Sequence, residues 1–219
     1  ISNYRPERTA PPIPARRTFS EKLSQLFSAM SLIKALLSTK RGQYWFFNHT
    51  RRVRIGKEKS TPLYIQNILT RLENGLVLDE VPFGVSYPAA IRNANYQSVD
   101  LLANAFAKFF PAERRAFRGF QFRMWFWWIF FRLKKPKTVF ILVWYTKMWV
   151  VAAAKRAGVP IVELQHGVIF REHDYFLFHK GAAVPESDFL VPHEFWTYGD
   201  YWAQMLKDKL IDMGFEAME

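Results

Sequence analysis

The residues best placed to do chemistry are Gln165, His166 and Gly167, which close the run VPIVELQHG. Imidazole is well suited to taking a proton from a hydroxyl nucleophile near neutral pH. A glycine beside it lets backbone N–H groups come close to a ligand. Along an extended strand, Glu163 and Gln165 share one face and His166 points to the other. On that spacing Glu163 reads as a buried, hydrogen-bonded acid, not as a given partner of His166. The rival reading of His166 is structural, a residue that ties the loop to the sheet.

A second group is basic. His49 is followed closely by Arg51, Arg52, Arg54, Lys57 and Lys59 in HTRRVRIGKEKS. The stretch reads either as a solvated loop or as an anion-binding lip. It lacks the Gly-Lys-Ser/Thr spacing of a phosphate-binding P-loop. A third group sits in FREHDYFLFHKGAAVPESDF, with Arg171, Glu172, His173, Asp174 and His179. Its spacing lacks the i, i+4 support of a helical metal site and there is no Cys, so no metal is expected. A loop that covers the site is the expectation. His193 reads as structural, and Asp200 equally as a helix cap or a catalytic acid.

The elements that must position these residues follow from the apolar pattern. KTVFILVWY, TKMWVVAAAKRAG, VPIVELQHG and the short run in LVPHEFWTYGDYW give strand, helix, strand, loop, strand. That order predicts a parallel sheet with helical crossovers, whose ligands bind outside the carboxyl ends of the strands. The expected fold class is α/β, a Rossmann-like three-layer domain with a mainly parallel sheet. Upstream, helices are expected over 19–37, 60–74 and 98–110, the second capped by Ser60 or Thr61 and stopped at Gly75. QYWFFN (43–48) reads as a buried strand, and LVLDEVPFGVSYP as a short strand and turn. If the first strand is parallel, the basic stretch shares a rim with His166. Residues 112–135 combine arginines with a dense aromatic block. They read as a core helix with snorkelling arginines or as an interfacial membrane segment. A last amphipathic helix is expected over 201–213.

Residues 1–18, rich in Pro and Arg, read as an extended basic arm ahead of a domain over 19–219. The 219-residue chain is half hydrophobic, enough for a sizeable core. Its net charge of +12 is uneven: residues 1–60 carry 13 Lys or Arg against three acids, and residues 137–219 eight against eleven. The basic half favours anionic partners: phosphates, anionic glycans, nucleic acid or a membrane surface. The absence of Cys excludes disulfides, thiol chemistry and Cys-based zinc sites. No apolar run approaches the ~20 residues needed to span a bilayer. No nucleic-acid recognition module is visible, so no specific nucleic-acid partner is expected.

VPIVELQHGVI, with the downstream FWTYGDYW, resembles the N-terminal half of bacterial surface-polysaccharide glycosyltransferases. The layout is similar to capsule-type transferases and to the CDP-glycerol glycerophosphotransferases. The likeness covers about residues 137–202; elsewhere it is one of layout. It implies half of a GT-B arrangement, with 19–219 as the acceptor-binding domain. A second domain, not among these residues, would bind the nucleotide-activated donor, and no other cofactor is implied. The partner would be a glycan or lipid-linked acceptor. His166 would act as general base, while Arg51, Arg52, Arg54, Gln165, Gly167 and Arg171 would bind the acceptor. The implied location is cytoplasmic, with peripheral contact on the inner face of the membrane. The alternative is a non-catalytic membrane-associated binding or assembly module for anionic glycans or lipids.

Overall fold

In the computed structural model of the chain, the apolar runs split their side chains between two cores, one on each face of a sheet. The structure describes residues 19–49, 52–55, 59–62, 64–72, 74–80, 87–167 and 190–212. In chain order the elements begin with α1 (Phe19–Ser38), β1 (Tyr44–Phe47), β2 (Arg52–Ile55), β3 (Lys59–Pro62) and α2 (Gln66–Leu69). Then come β4 (Gly75–Asp79), β5 (Ile91–Asn95), α3 (Gln97–Ala107), α4 (Ala112–Lys134) and β6 (Val139–Ile141). A 3-10 turn (Trp144–Thr146) leads to α5 (Met148–Ala157), β7 (Ile161–Leu164), β8 (Glu194–Trp196) and α6 (Asp200–Asp212).

Six strands form one sheet in the order β5-β4-β1-β6-β7-β8, and every pair is parallel. Parallel strands need covered faces, which is why these runs are apolar without alternation. Trp45, Phe47, Leu76, Leu78, Val139, Ile141 and Ile161 face a core shared with α1, α3, α4 and α5. Phe46, Val77, Phe140, Val162 and Leu164 face the opposite core, with Ile65 and Leu69 around α2. The result is the Rossmann-like three-layer α/β domain expected from the sequence. Aromatic edges lock the first core. Phe47 meets Trp127 at 4.8 Å and Trp45 meets Phe131 at 5.5 Å, both edge-to-face. Such pairs add about 0.5–1.5 kcal/mol each beyond their buried area.

Most expected elements are present, with boundaries shifted by a few residues. The helix expected over 60–74 is a correction. Lys59–Pro62 is instead β3, paired antiparallel with β2, Arg54 opposite Ser60 and Val53 opposite Thr61. Only Gln66–Leu69 is helical, so Ser60 and Thr61 are strand residues and not caps. Arg52 and Arg54 alternate with Val53 and Ile55 at the period of a strand, and the pairing with Thr61 uses a β-branched residue. Gly75, expected as a helix stop, opens β4. A Cβ there would lie 3.2 Å from the carbonyl oxygen of Tyr44. β5, with its exposed Arg92 and Asn93, has no apolar run to announce it.

The aromatic block is helical over its whole length as α4. Gly119, Trp127 and Phe131 are buried while Trp125, Ile129 and Leu133 stay exposed, so one face is core and the other is not. Among the described residues no helix is long and apolar enough to cross a membrane. The extended arm expected over 1–18 lies outside the described residues.

His193 is structural, as expected. Its Nδ1 accepts the N–H of Ile161 at 3.1 Å, and its own N–H donates to the Ile161 carbonyl at 2.9 Å. Partial burial, with the nearby Lys155 charge, holds its pKa below the ordinary value, against the pull of Glu194. Accepting at Nδ1 requires the neutral ring. The unfolded chain therefore binds the proton at higher pH than the fold does. That penalty is absent above the ordinary histidine pKa and grows as pH falls below it. Thermal unfolding followed from pH 7.5 to 5.5 should show a falling midpoint, and His193→Asn should flatten that slope.

Candidate functional site

Because all six strands run the same way, their carboxyl ends share one rim. Strand order reverses between β1 and β6, and ligands of open α/β sheets sit at such a reversal. On the far side of it, β6 ends in a strained turn. Val143 has φ 61° and ψ 58°, a left-handed conformation unusual for a β-branched residue. The N–H groups of Val143 and Trp144 then point at one acceptor, the carboxylate of Glu163 on β7, at 3.1 and 3.2 Å. Glu163 is 2 % exposed. Burial pushes its pKa up, opposed by His166, the Val143 N–H and Lys147.

His166 lies on the same carboxylate. Its Nδ1 is 3.4 Å from Oε1 of Glu163, within ion-pair reach but outside directed hydrogen-bond geometry. Strict strand alternation separates the two, yet the structure brings them together. Alternation holds only within β7, which ends at Leu164; Gln165 and His166 lie beyond the strand. The ring of Tyr64 stands edge-on to His166 with centroids 6.3 Å apart.

The other expected site residues divide. Gln165 is buried; its Oε1 accepts the N–H of Tyr198 at 2.8 Å and its Nε2 donates to the Gly167 carbonyl at 2.9 Å. Both ends of the amide are thus engaged with the chain, joining the ends of β7 and β8. Among the described residues nothing lies within 4 Å of where a Cβ on Gly167 would stand. Arg52 and Arg54 lie on β2, which follows β1 in the chain and pairs antiparallel with β3. Arg51, Arg171 and the loop with His173, Asp174 and His179 lie outside the described residues. Asp200 is the first residue of α6.

Several rim residues carry no strong sequence signal. Asn48 donates to Asp79 Oδ1 at 2.9 Å, and the Tyr87 hydroxyl donates to the same carboxylate at 2.7 Å. His49 Nδ1 meets Glu80 Oε2 at 2.9 Å, a second imidazole–carboxylate pair. The one available clue is position: Asn48, His49, Asp79 and Glu80 are the first polar residues after apolar strand runs. Beside them opens a cleft of 470 Å³, lined by Glu80, Tyr96, Asp100, Arg123, Lys147 and Trp149 among others. Arg123 is paired with Asp100. Lys147, 2 % exposed, donates to the Leu142 carbonyl at 3.0 Å. Burial pushes the Lys147 pKa down, opposed by Glu80, Glu163 and Asp100. Burial also raises the Tyr96 phenol, reinforced by Glu80, Asp100 and Asp79, so it stays a hydroxyl.

The described rim is therefore lined chiefly with carboxylates, two imidazoles and one sequestered ammonium. Its chemistry suits proton transfer. Among the described residues no group of three or more His, Asp or Glu is placed to hold a metal ion. No family model, curated protein or solved structure matches the chain.

Glu163→Ala removes the acceptor of two buried N–H groups and should lower unfolding free energy by about 2–3 kcal/mol in urea titration. Glu163→Gln keeps one acceptor and should lose less.

Proposed function

We propose that this domain is the acceptor-side half of a GT-B glycosyltransferase that extends a surface glycan or its lipid-linked precursor. The observation that carries the reading is the contact between His166 and the buried Glu163 at the carboxyl end of a parallel strand. With a carboxylate at Nδ1, the ring is oriented and the imidazolium formed during reaction is stabilised. Nε2 would take the proton of the acceptor hydroxyl. The oxygen then forms the new bond to the donor's transferred group, and the bond to the nucleotide phosphate breaks. The nucleotide-activated donor would be held by a second domain. Gly167, with no side chain, would let backbone come close to that hydroxyl. Arg51, Arg52, Arg54 and Arg171 would hold anionic parts of the acceptor, and Gln165 would set the shape of the rim.

His49 with Glu80 is the second reading for the base, favoured by its shorter 2.9 Å contact. Glu163 is the more deeply buried of the two carboxylates, which favours His166. The test is transfer from a nucleotide-activated donor by the protein together with its donor-binding domain. His166→Ala should cut kcat by about 10²–10⁴-fold with a smaller change in KM, the size expected for a lost general base. His49→Ala should cost far less. Near-normal turnover of His166→Ala with loss in His49→Ala would move the base to His49. Near-normal turnover of both would remove imidazole catalysis from the reading.

A further inference from the structure

We propose that the outer face of α1 and α4 is a docking surface for an anionic lipid bilayer. Both helices spend one face on the core: Leu32 and Leu36 of α1, Trp127 and Phe131 of α4. Each also carries an exposed apolar stripe outside that face. On α1, Phe27, Met30, Ile33 and Leu37 recur at three- and four-residue spacing and are exposed, Phe27 by 63 % and Leu37 by 55 %. On α4, Trp125, Ile129 and Leu133 recur every four residues, the last two about half exposed at 52 and 50 %. The two helices meet at their C-terminal ends, where Lys134 Nζ donates to the Leu37 carbonyl.

Cations border the stripes. The last turn of α4 carries Arg132 and Lys134. Lys34, Arg132 and Lys135 are exposed. Arg156 of α5 lies over the rings of Trp125 and Trp128, 4.5 and 5.6 Å from their centroids. This combination selects the occupant. A nucleic acid would use the cations and the indoles but leave Met30, Ile33, Leu37, Ile129 and Leu133 against water. A second copy related by a two-fold axis would set the same cations against one another. An anionic bilayer satisfies every part: aliphatic side chains enter the acyl boundary, tryptophan sits at headgroup level, and lysine and arginine meet lipid phosphate. The inference does not rest on glycosyl transfer.

The test is co-sedimentation of the 219-residue chain with vesicles of phosphatidylcholine alone or mixed with phosphatidylglycerol. Binding should be at least about tenfold stronger to the anionic vesicles and weaken with salt. Ile129→Glu with Leu133→Glu should abolish it while the far-UV circular dichroism stays native, since both side chains are exposed. Lys34→Glu with Arg132→Glu should remove the preference for anionic lipid. No pelleting with anionic vesicles, or pelleting unchanged in both variants, would overturn the proposal. So would a two-chain solution mass that falls to one chain in the Ile129/Leu133 variant, or single-stranded RNA binding lost in that variant with vesicles unaffected.

Discussion

The rim depends on one buried carboxylate. Glu163 accepts two successive backbone N–H groups from a turn whose leading residue, Val143, is left-handed. Without such an acceptor, two orphaned donors and a strained β-branched residue would both oppose that turn. With it, β6 ends after three residues and the chain swings into the 3-10 turn and α5. The same carboxylate stands beside His166 and helps offset the burial of Lys147. A single side chain thus shapes the end of β6 and the electrostatics on the β6–β7 side of the strand reversal.

The layering around that site follows from strand direction. Parallel strands join through crossovers, and crossovers place helices over the sheet. α1, α3, α4 and α5 all contribute to one core, whose aromatic contacts join β1 to α4 and α5. Trp127 and Trp149 stack at 6.2 Å between those two helices. Packing of this kind fixes helix positions, and through them the 3-10 turn and Lys147 at the start of α5. The rim geometry is therefore held from below by large rings and from the side by Glu163.

Much of this was legible in the sequence because it rests on local pattern. Apolar runs bounded by polar or glycine residues marked β1, β6 and β7, and the order of those runs gave parallel topology. His166 stood out because it closes such a run. What could not be read depends on long-range pairing or on where regular backbone stops. The Glu163–His166 contact is made beyond Leu164, where β7 has ended and strand periodicity no longer applies. Asn48 with Asp79, and His49 with Glu80, meet because β1 and β4 are neighbours 31 residues apart. β3 was hidden because Pro62 and the apolar residues after it mimic a helix start. α4 was ambiguous for a physical reason: a helix apolar on both faces satisfies a core template whichever face is inside.

α4 links the two surfaces of interest. Its N-terminal half supplies Ala116, Phe120 and Arg123 to the wall of the cleft at the carboxyl rim. Its C-terminal half carries the exposed Trp125, Ile129 and Leu133. A helix of 23 residues extends about 35 Å at 1.5 Å per residue, so the apolar stripe and the cleft are ends of one rigid rod. A glycan acceptor that is itself lipid-linked would have its anchor in the bilayer and its reactive hydroxyl near the headgroups. A domain lying on α1 and α4 would hold the cleft within reach of that hydroxyl without leaving the surface. Attachment and acceptor capture would then share the same element, which gives one physical reason for a helix that is apolar on both faces while carrying six basic residues.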